Sequence, residues 1–209
     1  MALMGSGKSG RLGVLGYYWF LTFAQGSELS LLAGRCQKSI ASPYYTMVPG
    51  EGLHLTLDRV GYADGVVPEE VRAIEMAALL ACREVPPFDV AVGPPFDVHG
   101  AIGLRVAPAH KVWQLRDALR GATLSVVPEA PVRASTSDPH VTIAYPAYGE
   151  GMRVDTRAMV GGINRPVHQV GSTVAEAALV LLERFRGSYS WEVVARIPLM
   201  GSKEHFETR

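Results

Sequence analysis

His54-Leu55-Thr56-Leu57 and His140-Val141-Thr142-Ile143 repeat one pattern of histidine, apolar residue, threonine, apolar residue. Along an extended strand successive side chains point to opposite faces. Each tetrapeptide therefore presents an imidazole and a hydroxyl together and turns an apolar pair the other way. Histidine titrates near neutrality, so one neutral imidazole can take a proton from an attacking hydroxyl or water while a second, protonated one gives a proton to a leaving oxygen. Threonine hydroxyls beside them can donate hydrogen bonds to the non-bridging oxygens of a phosphate. Two such pairs facing one phosphodiester would cleave it by acid/base catalysis. Six His, nine Thr and 48% apolar residues in 209 positions give roughly 0.06 expected copies of the pattern, and two copies arise with a probability on the order of 0.002.

The doublet resembles the two-histidine phosphoesterase superfamily, and within it the bacterial 2′-5′ RNA ligase and RNA 2′,3′-cyclic phosphodiesterase family. There, two His-x-Thr/Ser strands from pseudo-symmetric lobes face one phosphate across a cleft. The resemblance implies an α+β bilobal fold, with two pseudo-symmetric antiparallel-sheet lobes, outer helices and a central cleft. It implies catalysis by His54 and His140, with Thr56 and Thr142 binding the substrate phosphate, and an activity on 2′,3′-cyclic phosphate ends together with reversible 2′-5′ ligation. RNA ends, short oligonucleotides or cyclic nucleotides are the expected substrates. The alternative is a nucleotide- or RNA-end-binding module that keeps the cleft without turnover. Members of the family often carry an arginine soon after the second motif, whereas here Ala144-Tyr145-Pro146 follows Ile143. The arginine's phosphate contact is therefore absent from this position.

The elements that must position the motifs are legible in outline. Tyr17 to Phe23 reads as a strand. Leu29, Leu32, Ala33, Cys36 and Ile40 recur at helical spacing behind Ser27-Glu28, which predicts a helix over Ser27 to Ser39. Ala41 to Gly52, with two prolines and two glycines, reads as a loop leading into the first motif strand. Pro68, Glu69 and Glu70 open a helix over Val67 to Cys82. Phe88 to Val92 and Ala101 to Val106 read as strands parted at Gly93-Pro94-Pro95, with a helix from Pro108 to Arg120 and another near Val154 to Ile163. Ser172 to Leu182 and Trp191 to Pro198 are expected to form a closing hairpin around Arg186-Gly187-Ser188. Residues 1–16 are expected to be a flexible tail, 17–200 one bilobal domain and 201–209 a C-terminal tail.

Around the motifs, Tyr44, Tyr45, Tyr145 and His168 are candidates for lining the cleft. His99, His110 and His205 have no patterned neighbour and read as structural. By strand alternation Asp58 shares a face with His54 and Thr56, where it could orient a group in the cleft, and it reads first as a solvated acid near a strand end. No His-Glu-x-x-His or His-x-His occurs, so no metal is expected, and no cofactor. Gly5-Ser6-Gly7-Lys8-Ser9 imitates the end of a phosphate-binding loop, but Ala2 stands where its first glycine should and no strand precedes it.

Lys plus Arg and Asp plus Glu number 20 each, so no global field is available to hold a long polyanion. Cys36 and Cys82 have neither zinc-ligand nor disulfide-framework spacing. A cytoplasmic monomer is expected, without membrane attachment, because no run approaches the roughly 20 apolar residues a spanning helix needs. The alternative is a signal peptide, with Lys8 and Arg11 before the apolar run Leu12 to Ala24 and Thr22-Phe23-Ala24 as a cleavage site.

Overall fold

The computed structural model of the protein describes residues 13–40, 43–132, 138–147, 154–163, 168–185 and 188–202. In chain order its elements are β1 (Gly13–Thr22), α1 (Glu28–Ser39), β2 (Tyr45–Met47), β3 (His54–Tyr62), α2 (Pro68–Ala81), β4 (Phe88–Val98) and β5 (Ala101–Ala107). After these come α3 (Ala109–Val126), β6 (His140–Pro146), α4 (Thr156–Gly161), β7 (Val170–Val174), β8 (Glu176–Phe185) and β9 (Ser188–Pro198). The strands form two antiparallel sheets, ordered β3-β1-β8-β9 and β2-β6-β5-β4-β7. The motif strands β3 and β6 belong to different sheets and lie beside each other where the sheets meet.

Local chemistry explains where the helices begin. The Ser27 hydroxyl accepts from the Ser30 amide at 3.3 Å to cap α1, and the Glu70 carboxylate accepts from the Val67 amide at 3.0 Å behind Pro68 at the start of α2. The helices then exchange lobes. α1 leaves the first sheet and packs on β6 and β7 of the second, while α3 leaves the second sheet and packs on α2 and β3 over the first. Gln37 of α1 donates to the carbonyls of Val48 (2.6 Å) and Ile143 (2.9 Å), and the Trp19 indole of β1 donates to the Thr123 hydroxyl of α3 at 3.0 Å.

Both motif strands carry a β-bulge at the same place. Across β1 and β3, Phe20 faces Thr56 and Trp19 faces Asp58, so Leu57 is the extra residue; across β5 and β6, Gly103 faces Thr142 and Ile102 faces Ala144, so Ile143 is extra. A bulge puts two consecutive side chains on one side and reverses the alternation beyond it. Leu57 and Asp58 therefore both turn toward the helices, as do Ile143 and Ala144. Asp58 is 1% exposed and accepts from Arg120 Nε of α3 at 2.6 Å. It is not the solvated acid on the His54 face that strict alternation implies.

Other boundaries differ for equally local reasons. β1 begins at Gly13, four residues earlier than expected. Gly16 takes a positive φ of 136°, and a Cβ there would run into the Gly61 carbonyl oxygen of β3. The segment expected to be a loop contains β2, an edge strand on β6. Gly93-Pro94 does not end β4: the pairing resumes from Val92 opposite Val106 to Pro95 opposite Leu104, because a bulge absorbs residues that cannot serve the ladder. The β4-β5 turn is His99-Gly100, both at positive φ. α3 continues to Val126, beyond Arg120. The run Ser172 to Leu182 is shared by β7 and β8, which belong to different sheets, and only β8 pairs with β9. Arg186-Gly187 and His205 lie outside the described residues, as does the tail before Gly13. Gly201, expected to lie in the C-terminal tail, still donates to the Val85 carbonyl at 3.0 Å.

Among the described residues no helix is long and apolar enough to cross a membrane.

Candidate active site

His54 and His140 open their strands in the same way. His54 Nδ1 lies 2.9 Å from the Gly52 carbonyl, and His140 Nδ1 lies 2.8 Å from the Asp138 carbonyl, in each case the residue two positions upstream. A carbonyl only accepts, so both rings carry hydrogen on Nδ1 and leave Nε2 to exchange a proton.

The surroundings of the two rings differ. His54 is 8% exposed, stacked on Phe20 (centroids 4.2 Å, 17°) and met edge-on by Trp191 at 4.8 Å. Burial pulls its pKa below the ordinary 6.5, the Gly52 carbonyl opposes that shift, and the nearby His140 adds to the lowering. His140 is half-buried, with Phe96 edge-on at 6.0 Å. Arg105 stands directly across from His140 on β5, stacks over Phe96 at 4.4 Å and forms an ion pair with Asp138. Gly103 keeps space beside His140: a Cβ there would come within 2.8 Å of Val98 and 3.5 Å of the imidazole.

Thr56 lies opposite Phe20 and shares the face of His54. Its side chain is exposed, whereas Thr142 is buried opposite Gly103. Thr56 and His140 also border one shallow pocket with Leu55, Leu57, Val112, Trp113, Arg116, Asp138 and Pro139, so the two motif strands and α3 meet around a common space.

The aromatic candidates separate. Tyr145 stands beyond the β6 bulge, and its ring lies 5.1 Å from Tyr189 of the other sheet. Tyr45 is buried in β2 with its hydroxyl 2.8 Å from Thr156 of α4, so it packs in the core and does not line the groove. Tyr44 is exposed in the turn before β2, where its carbonyl accepts from Ala147. His168 is exposed just before β7, at the edge of the second sheet away from β6, and is not brought to the histidine pair. His99 occupies the β4-β5 turn and His110 the first turn of α3.

Sequence reading missed Arg59. The β3 bulge sends Arg59 back to the face of Thr56, at the position that Tyr145 holds on β6. It is paired across the ladder with Tyr18, a member of the same apolar cluster as Phe20. The signal lay in the strand itself, but only a bulge makes the third residue after Thr56 share its face.

Among the described residues no group of three His, Cys, Asp or Glu is arranged to hold a metal ion. Cys36 and Cys82 are buried free thiols, and burial pushes Cys82 up to about 11, which keeps it protonated and unreactive.

These features define a bilobal α+β fold built on two antiparallel sheets, each contributing one His-x-Thr strand. Solved structures share it. TT0787 of Thermus thermophilus matches with a TM-score of 0.64 over 90% of this chain and 99% of its own, at 18% identity. Escherichia coli LigT complexed with NADP+ matches at 0.63 over 90% and 99%, at 17% identity. A phosphoesterase structure matches at 0.61 over 88% and 98%, at 17% identity. At these identities the likeness is one of fold, and it covers nearly the whole chain. No family model matches the sequence, and no curated protein does.

Proposed function

We propose that the protein is a two-histidine phosphodiesterase acting on 2′,3′-cyclic phosphate ends of RNA or nucleotides. The observation that carries this reading is the matched pair of imidazoles, each tied through Nδ1 to the carbonyl two residues upstream, on two adjoining strands whose Thr56 and His140 border one space. His54, held neutral by burial, takes the proton of the attacking water at Nε2. Water oxygen bonds to phosphorus, one ribose ester bond breaks, and the departing ribose oxygen receives a proton from Nε2 of His140. Thr56 and Thr142 donate to the non-bridging oxygens. An RNA 5′-hydroxyl in place of water would close a 2′-5′ link if the 3′-oxygen leaves, which is the ligase direction of the same step.

Support also comes from the shared fold, since LigT structures are complexed with 3′-AMP, ATP and phosphate, all phosphate-bearing ligands. The buried free thiols suit a reducing cytoplasm. We assign no cofactor and treat the enzyme as a monomer. Turnover of 2′,3′-cyclic nucleotides and of short RNA with a cyclic end, measured beside equilibrium binding of mononucleotides, tests the reading. Product that forms equally well in EDTA supports it. Binding without product overturns it in favour of a nucleotide-binding module. Activity lost on chelation and restored by a divalent ion overturns the two-histidine mechanism.

A further inference from the structure

We infer that Arg59 forms a second phosphate-binding position in the groove, so that ligands with a second phosphoryl group are held more tightly than those with one. This deepens the proposed function and rests on it for the first phosphate.

Besides Arg116 of α3, which borders the pocket with Thr56 and His140, the strand residues Arg59 of β3 and Arg105 of β5 share the face of the motif residues. Arg105 has its charge balanced by Asp138. No carboxylate is in ion-pair range of Arg59 among the described residues: Asp58, its chain neighbour, is turned by the bulge to Arg120 and reaches only the Arg59 backbone amide. Instead Arg59 Nε donates to the Tyr18 hydroxyl at 3.0 Å and Nη1 to the Tyr62 hydroxyl at 2.8 Å. Its guanidinium carbon lies 5.4 Å and 4.8 Å from the two ring centroids. Hydroxyls and ring faces orient the cation but leave its charge unbalanced. Of its five N–H groups, one on Nη1 and both on Nη2 remain, which is the end-on fork that grips two oxygens of a phosphate.

The position fixes which phosphate this is. Arg59 follows Thr56 by three residues on the same face, but the bulge makes them span only two residues of β1, from Phe20 to Tyr18, a separation along the strand of about 7 Å at roughly 3.3 Å per residue. Its bonds go to Tyr18, directly across β1, and to Tyr62, farther along β3 opposite Gly16, so the guanidinium is drawn away from Thr56 and toward a second phosphoryl group farther along the groove than the one between the histidines. The β6 counterpart is Tyr145, which is uncharged, so the two ends of the groove differ and a chain would lie in one direction.

Affinity for a nucleoside 3′-monophosphate, a nucleoside 3′,5′-bisphosphate and a dinucleotide ending in a 3′-phosphate tests this, measured across a range of salt. The expected result is about 10–100-fold tighter binding of a two-phosphate ligand, the usual value of a hydrogen-bonded charged contact. Its log-log salt slope should be steeper by about 0.7. Arg59→Met should erase most of that gain, and Arg59→Lys should keep the salt slope while losing part of the affinity. A gain confined to the bisphosphate assigns the second phosphate to the same nucleotide, and one confined to the dinucleotide assigns it to the internucleotide link. Equal binding of one- and two-phosphate ligands by the wild type, or a gain that survives in folded Arg59→Met, overturns the inference. The wild-type salt comparison needs no variant. A gain that depends on Arg59, found in a protein with no turnover of cyclic nucleotides, would remove the catalytic reading and leave this one standing.

Discussion

His54 and His140 share a backbone anchor but not an environment, and that difference makes their roles separable. Replacing either by alanine should lower kcat by about 10²–10⁴-fold, and the double variant should lose far less than the product because the two act as a unit. Steady-state kinetics on a 2′,3′-cyclic nucleotide checks this, and wild-type turnover in a folded single variant would refute it. Because the pKa of His54 is lowered, the limb of activity lost on acidification should lie below pH 6.5 and vanish in the His54 variant. Stability follows the same sign. The unfolded imidazole binds its proton at a higher pH than the folded one, so His54 stabilises the fold fully above pH 6.5 and progressively less as pH falls below it. The loss cannot exceed about 1.4 kcal/mol per pH unit. Urea titrations of the wild type and His54→Gln at pH 7.5 and 5.5 should show the wild type weakening more on acidification. Equal weakening would mean that burial does not hold the ring neutral.

At the scale of elements, the bulge after each threonine separates what the sequence discloses from what it conceals. Strand alternation correctly puts His54 with Thr56 and His140 with Thr142, because the bulge lies just beyond them. It fails at the next step, where Asp58 turns inward to Arg120 and Arg59 turns out to the groove. Nothing in the string of residues marks Leu57 or Ile143 as extra, since a bulge is a property of the pairing with β1 or β5. Tyr45 was unreadable for a related reason: only its pairing with Pro146 makes the segment a strand and buries the ring. The run from Ser172 to Leu182 shows no break in composition where it changes sheets. Asp58 and Arg120 yield a prediction of their own. Arg120→Met leaves a buried carboxylate without its cation and should destabilise the protein by about 3–5 kcal/mol, whereas Asp58→Asn with Arg120→Met together should cost less than the sum. Denaturant unfolding of the four proteins in the cycle measures it, and strict additivity would show that the pair is not coupled.

Taken whole, the molecule is two lobes that cannot be pulled apart without exposing both, because α1 covers the second sheet and α3 covers the first. Unfolding should therefore be one cooperative event. Fluorescence of Trp19, isolated by Trp113→Phe and Trp191→Phe so that it reports the contact with Thr123, and far-ultraviolet circular dichroism of the same variant should give coincident denaturation curves, and separated midpoints would show independent lobes. The interleaving also governs how the chain can be made. β1 sits between β3 and β8, and β8 begins only at Glu176, so the first sheet cannot close until the chain through β8 has left the ribosome. At roughly 5–20 residues per second, the apolar strand from Tyr18 to Leu21 waits on the order of ten seconds for its second neighbour. During that interval its open edge is a site where a nascent-chain chaperone would bind.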